Sequence, residues 1–338
     1  MKPTTLILTL CLSALIAPLA FAQNDASDFL GRWALTIPGD RAGWLGITQE
    51  DGYLDGSILW GGGSVVPLES VYVDGDTLYA TRVREVQRKD KAGKVVRKQR
   101  FTETISATLD GADALSLVQS EPQRSGKGVS KRPFAGVRIA ALPEAPKLSK
   151  AKYGDPISLF NGKNLDGWRL TNERQTNGWS MVDGTLINDP VQEKGARHIS
   201  YGNLRTDAEF EDFNLTTEVM VDKGGNSGVY LRGIYEVQVE ETYGRPADSH
   251  NMGAVYSRIT PSATVERPAG EWQTLDITLW KRHITVILNG TTIIDNQRLL
   301  GCTGGALTSN EFKPGPLYLQ GDHTGVQYRN MVLRPIRN

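Results

Sequence analysis

Turn punctuation limits this chain more than any other feature. Asp51-Gly52, Asp55-Gly56, Gly61-Gly62-Gly63, Asp74-Gly75-Asp76 and Asp110-Gly111 cut residues 31–142 into short runs. Such residues tolerate positive φ, which sharp reversals between antiparallel strands demand. The runs at 33–37, 53–60, 65–73, 77–86, 101–109 and 114–119 alternate in character, as strands with one buried face do. Beyond residue 22 no segment carries the 3.6-residue period of a long amphipathic helix. With 36 glycines and 16 prolines, the chain reads as all-β. Six to eight strands over residues 27–142 predict a small β-barrel or β-sandwich that serves as an accessory domain.

Residues 143–156 are Pro-rich and charged and read as a linker. Strand patterns then resume through residues 157–338, with Asn289-Gly290 as the strongest hairpin signal in the chain. Nine or more short strands in that span predict a two-sheet antiparallel jelly roll. A length of 338 residues allows two such bodies, each with its own core.

Residues 1–22 read as a secretory signal peptide: Lys2 is the positive start, 6–19 are apolar, and Ala20-Phe21-Ala22 offers a cut after Ala22. The expected location is periplasmic or secreted, and the apolar stretch is too short for a membrane span. Cys302 is then the only cysteine left; no internal disulfide can form, and the thiol reads as a small buried hydrophobe. Lys+Arg 38 balances Asp+Glu 38, which argues against nucleic acid or an anionic membrane as partner. Nine basic residues at 82–100 have no aromatics among them to stack on bases and read as an exposed hairpin tip.

The second half contains an ordered series of distinctive phrases. They are Ser158-Leu-Phe-Asn-Gly-Lys-Asn-Leu-Asp-Gly-Trp168, Asn226-Ser-Gly-Val-Tyr-Leu-Arg-Gly233, Tyr235-Glu-Val-Gln-Val239, Pro268-Ala-Gly-Glu-Trp-Gln273, Gly315-Pro-Leu-Tyr-Leu-Gln-Gly-Asp-His323 and Tyr328-Arg-Asn330. This series resembles the 3-keto-disaccharide hydrolase domain family, over about residues 157–336. The resemblance implies a concanavalin-like jelly roll, exported carbohydrate degradation, and cleavage of glycosides whose sugar carries a ketone at C3, by hydrolysis or by elimination. It also implies that a separate oxidoreductase supplies the ketone.

A ketone at C3 acidifies the C2 proton, so such a site needs a base, a stabiliser for the enolate and an acid for the leaving oxygen. Strand periodicity puts Glu236, Gln238 and Glu240 on one face, with Val237 and Val239 on the other. Candidates for catalysis are Glu236, His323 and His250; Arg232, Gln238, Glu240, Gln320 and Asp322 are candidates for holding substrate. An ion pair of Arg232 with Glu236 or Glu241 is the structural alternative. No cofactor is required, although Glu236, Gln238, His250 and His323 could together hold Mn, Ca or Zn. Trp168 and Trp272 read as structural anchors, and His198 and His283 as solvent-facing. Two rival functions stay open: a carbohydrate-binding jelly roll without catalysis, and a laminarinase-type glycosidase using Glu236 and Glu240. The second needs carboxyl groups about 5 to 5.5 Å apart, whereas positions four apart on a regular strand lie about 13 Å apart. There is no HExxH, CxxC, G-x-S-x-G or phosphate-binding glycine loop.

Overall fold

The computed structural model describes residues 25–193 and 195–337. The leader expected at residues 1–22 lies outside them. The described residues are all-β apart from two short 3-10 turns, Ala26–Phe29 and Leu148–Lys150.

The first half forms one nine-stranded antiparallel sheet, made of Gly31–Ile37, Arg41–Glu50, Tyr53–Trp60, Val66–Pro67, Ser70–Asp74, Thr77–Lys89, Val95–Leu109, Ala114–Pro122 and Val129–Arg138. The last strand pairs with the first, Trp33 opposite Arg138. Val66–Pro67 pairs with Tyr53–Trp60, while Ser70–Asp74 pairs with Thr77–Lys89, so one continuous segment supplies both ends of the sheet. Trp33, Leu35, Leu45, Ile47, Ile58, Leu78, Ile105 and Leu117 fill its core. Trp33 donates its ring N–H to the Phe29 carbonyl at 3.0 Å, with the Arg138 guanidinium 4.0 Å above its ring. The basic segment is the distal part of the Thr77–Lys89/Val95–Leu109 hairpin. Several of its cations are met there by Glu85, Glu69, Glu103 and Glu121.

The second half packs two antiparallel sheets face to face. The larger contains Trp179–Val182, Thr185–Asn188, Val326–Arg337, Phe213–Val221, Gln273–Trp280, His283–Leu288 and Thr291–Arg298, in that spatial order. The smaller runs Trp168–Leu170, Leu204–Thr206, Tyr318–Leu319, Asn226–Leu231, Tyr235–Glu240. Val229, Leu231, Val237, Val239 and Leu319 of the smaller sheet bury against Leu215, Val219, Leu275, Ile277, Val286 and Leu333 of the larger. Strand alternation then turns Glu236, Gln238 and Glu240 to the opposite face. The Asn289-Gly290 hairpin forms as the sequence predicts, with φ of 50° and 82°. Trp168 is anchored, its ring N–H donated to the Leu159 carbonyl at 2.7 Å. Trp272 is half-buried beneath the Arg329 guanidinium, 4.0 Å away. His198 is exposed. His283 is not: it is 2 % exposed, with Nδ1 2.9 Å from the Lys281 carbonyl oxygen, because the tight Lys281-Arg282 turn folds its ring inward. Cys302 is buried as expected, and burial raises its thiol pKa to about 12.

The two halves are docked on each other. Ala34, Ala42, Trp44 and Leu59 of the first sheet belong to the apolar cluster of the second half. Arg258 lies 4.4 Å over the Trp44 ring, and Ser309 donates its hydroxyl to the Leu35 carbonyl at 2.9 Å. The segment between them is held too, since its Ala141 and Pro146 carbonyls accept hydrogen bonds from Arg282 and Asn296. Gly301 sits against the Trp44 indole where a Cβ would overlap the ring, and its φ is +142°. Gly301→Ala should therefore destabilise the protein by about 1 to 3 kcal/mol through overpacking. Chemical denaturation of the variant measures it, and an unchanged midpoint would contradict the tight docking described.

Candidate functional site

The outer face of the small sheet is ordered by strand register. Tyr230 lies opposite Glu236 on one side and Tyr318 on the other; Gly228 lies opposite Gln238, and Asn226 opposite Glu240. Reading across the strands, this face presents Glu236, Tyr230 and Tyr318 in one row and Gln238, Gly228 and Gln320 in the next. Tyr230 and Tyr318 stack with centroids 3.9 Å apart and planes 11° apart. Gly228 is required here because the Glu236 carboxylate rests on it, where a Cβ would collide.

Asn226, Tyr230, Glu236, Gln238, Tyr318 and Gln320 of this face line a pocket of about 360 Å³, together with Asn203, Tyr256, Asp322, His323, the Gly304-Gly305 pair and Gly62-Gly63 from the first half. A larger cleft of about 680 Å³, lined by Trp44, Arg258 and Leu299 among others, has no carboxylate on its walls. The smaller pocket holds the acid–base groups and is the candidate site.

Glu236 is 3 % exposed, and burial pushes its carboxyl pKa up to about 8. A Tyr230 hydroxyl nearby works against this shift, but its proton is donated to the Gly304 carbonyl at 2.7 Å; the charge of Asp322 adds to the rise. At neutral pH this acid is mostly protonated and is a donor. His323 Nδ1 lies 2.7 Å from Asp322 Oδ1. That hydrogen bond raises the pKa of His323 against the effect of burial. For Asp322 burial works upward, yet the hydrogen bond and charge of His323 outweigh it and the pKa falls. The pair is thus an imidazole oriented and supported by a carboxylate, as proton transfer requires.

Three buried amide oxygens in this neighbourhood, Asn226 Oδ1, Gln238 Oε1 and Gln320 Oε1, have no donor among the described residues. The orientation of Gln238 is set by its NH₂ group, which donates to Glu240 at 3.0 Å. Buried acceptors without donors are costly, so these oxygens mark positions where a hydroxyl-rich ligand would supply the missing hydrogens.

Of the residues expected from sequence, Glu236, Gln238, Gln320, Asp322 and His323 converge on the pocket. Glu240 stands behind Gln238 and accepts from Arg245 at 3.0 Å. Arg232 is elsewhere, and it pairs with neither Glu236 nor Glu241. Its φ of 56° in the turn before Tyr235–Glu240 directs the side chain away, and its guanidinium donates to the Glu311 and Lys313 carbonyls. His250 does not line the pocket. Its Nε2 is 2.8 Å from Ser64 Oγ, its Nδ1 2.5 Å from Asp248, and its ring meets Tyr256 edge-on at 4.8 Å. The four residues Glu236, Gln238, His250 and His323 are therefore not brought together, and among the described residues no group of three or more His, Cys, Asp or Glu is placed to hold a metal ion. The sequence reading missed Tyr230, Tyr318, Asn203, Asn226 and Tyr256. Tyr230 and Tyr318 stand inside phrases already singled out, at the alternating positions that face the site.

This arrangement is that of an all-β protein whose second half is a two-sheet sandwich with an acid–base pocket on the outer face of its smaller sheet. Residues 155–334 match the family model of the 3-keto-alpha-glucoside-1,2-lyase-like domain, and the chain belongs to that family. It is 26% identical over 166 residues to a 3-keto-disaccharide hydrolase of Bacteroides thetaiotaomicron, a match covering 41% of this chain and 57% of that relative. The chain thus spans little more than half the length of the curated relative. Among solved structures, a protein from Parabacteroides distasonis, provisionally named a glycosyl hydrolase, is 29% identical across 54% of this chain and 84% of its own, with a TM-score of 0.43. SCLam, a non-specific endo-beta-1,3(4)-glucanase of family GH16, is 14% identical across 59% of this chain and 94% of its own, with a TM-score of 0.33.

Proposed function

We propose that the protein cleaves glycosides whose sugar carries a ketone at C3, by removing the C2 proton and expelling the C1 oxygen. Neutral His323, backed by Asp322, takes the C2 proton. The C–H electrons form the C1=C2 double bond as the C1–O bond breaks, and Glu236 gives its proton to the departing oxygen. The products are an unsaturated 3-keto sugar and an alcohol, which together contain every atom of the substrate. Asn226, Gln238 and Gln320 accept hydrogen bonds from the sugar hydroxyls. The reading is carried by one observation: a carboxyl held protonated, a His–Asp pair and three buried acceptors without donors meet in one pocket. A ketone at C3 must come from an oxidoreductase acting beforehand, and the leader expected at residues 1–22 would put the reaction outside the cytoplasm.

The test is incubation with a 3-keto-glucoside and with its unoxidised parent, each with and without EDTA. Alcohol released from the keto compound alone, unaffected by EDTA, is the expected result. Release from the parent sugar would instead indicate a glycosidase, and saturable binding without release a lectin. An EDTA effect would reinstate a metal.

A further inference from the structure

The family match leaves out the first half of the chain, yet Gly62 and Gly63 of that half line the pocket. We propose that the loop at residues 61–64 forms a subsite for the second sugar of a disaccharide substrate, the part that departs with the C1 oxygen. This inference rests on the pocket being the site of reaction.

The loop is pinned at both ends. Ser64 Oγ lies 2.8 Å from His250 Nε2, and the Val65 amide donates to Ser257 Oγ at 2.9 Å. The Gly305 amide faces the Gly61 carbonyl oxygen at 3.4 Å, and a Cβ on Gly304 would collide with the Gly63 backbone. Two glycine segments therefore meet backbone to backbone, and this contact places main chain where other pocket walls carry side chains. The hydroxyls of Tyr230 and Tyr318 donate to the Gly304 and Gly305 carbonyls, which ties this wall to the row containing Glu236. His250 then serves as the loop's anchor rather than as a proton carrier, since Ser64 and Asp248 occupy its two ring nitrogens.

The two kinds of wall suit different parts of a glycoside. The sheet face holds the acid, the His–Asp pair and the orphaned acceptors, and so takes the oxidised sugar. The amides of Gly62, Gly63 and Ser64 make no hydrogen bond among the described residues. They are donors, and a hydroxyl-bearing ring would accept from them where an alkyl group would not.

Gly62 permits a direct test, because a Cβ there meets nothing within 4 Å and its φ is not in the left-handed region. Gly62→Cys would place a thiol on the wall. Cys302, buried and with its pKa raised to about 12, should stay silent; wild-type protein controls for labelling elsewhere. The rate of iodoacetamide labelling at position 62 is followed with a methyl 3-keto-glucoside, with a 3-keto-disaccharide and with their unoxidised forms. A disaccharide at about ten times its Kd should slow labelling about tenfold, and the methyl glycoside should leave it nearly unchanged. Equal protection by both, or none from a disaccharide that wild-type protein turns over, overturns the subsite. Protection by a disaccharide without turnover keeps the subsite and removes the proposed reaction. Neither protection nor turnover removes both.

Discussion

Glu236→Gln is expected to lower turnover by about two to four orders of magnitude and, at the same time, to stabilise the protein above neutral pH. Both effects come from one cause. The folded protein holds the Glu236 proton to a pKa of about 8, whereas in the unfolded chain the group returns to the ordinary value of 4.5. Between those values the unfolded chain has released a proton that the folded chain still binds. The stability belonging to this site is therefore fully present below about pH 4.5 and declines as pH rises, until the folded group also ionises near 8. A shift of that size corresponds to a loss on the order of 5 kcal/mol. Glutamine mimics the protonated acid at every pH and escapes the loss. Denaturation of both proteins at pH 5 and at pH 8.5 measures it: near-equal stabilities at the lower pH and a more stable variant at the higher. A constant difference would mean that Glu236 ionises as an exposed carboxylate does. On the kinetic side, the loss should shrink for a 4-nitrophenyl leaving group, which departs without needing a proton. A loss independent of the leaving group would remove Glu236 from the acid role.

The second large effect concerns His323 and Asp322. As a base, His323 must be neutral, so the rate should rise with pH through its pKa and fall again near 8 as Glu236 loses its proton. Asp322 holds the His323 pKa up through their hydrogen bond. Asp322→Asn should move the acidic limb of the profile to lower pH and reduce kcat, because the imidazolium formed in the reaction loses its partner. His323→Gln should remove about two to four orders of magnitude and leave the alkaline limb in place. Steady-state pH profiles of the wild type and both variants decide the matter. An acidic limb unmoved in Asp322→Asn would detach the pair from proton transfer.

The legible parts of the site were those encoded locally. Glu236 and Gln238 follow from the period of two along one strand, and Asp322 with His323 from adjacency in the chain. What joins them is not local. Tyr230 reaches Glu236 on one side and Tyr318 on the other only through register between three strands, one of which is more than 80 residues away in sequence. Arg232 failed for a backbone reason: one tight turn before the strand put it within reach of the polar face, but its positive φ there sends the guanidinium to the Glu311 and Lys313 carbonyls instead. His283 failed likewise, at a turn whose two central residues, Lys281 and Arg282, are neither glycine nor asparagine but still take positive φ. In the first half, alternation and most turn pairs foretold strands; Asp55-Gly56 did not mark a turn, since it lies inside Tyr53–Trp60 with Gly56 opposite Ile47. Gly61-Gly62-Gly63, however, read as punctuation, because nothing in the sequence states which surface a loop will meet.

Trp44 has a further consequence. A side chain from the first sheet sits in the apolar cluster of the second half, with Ala34, Ala42 and Leu59 beside it. Melting either half alone would open that cluster to water. The heat-capacity trace of this chain should accordingly show one cooperative peak rather than two. Two bodies with different sheet topologies would then behave as one thermodynamic unit.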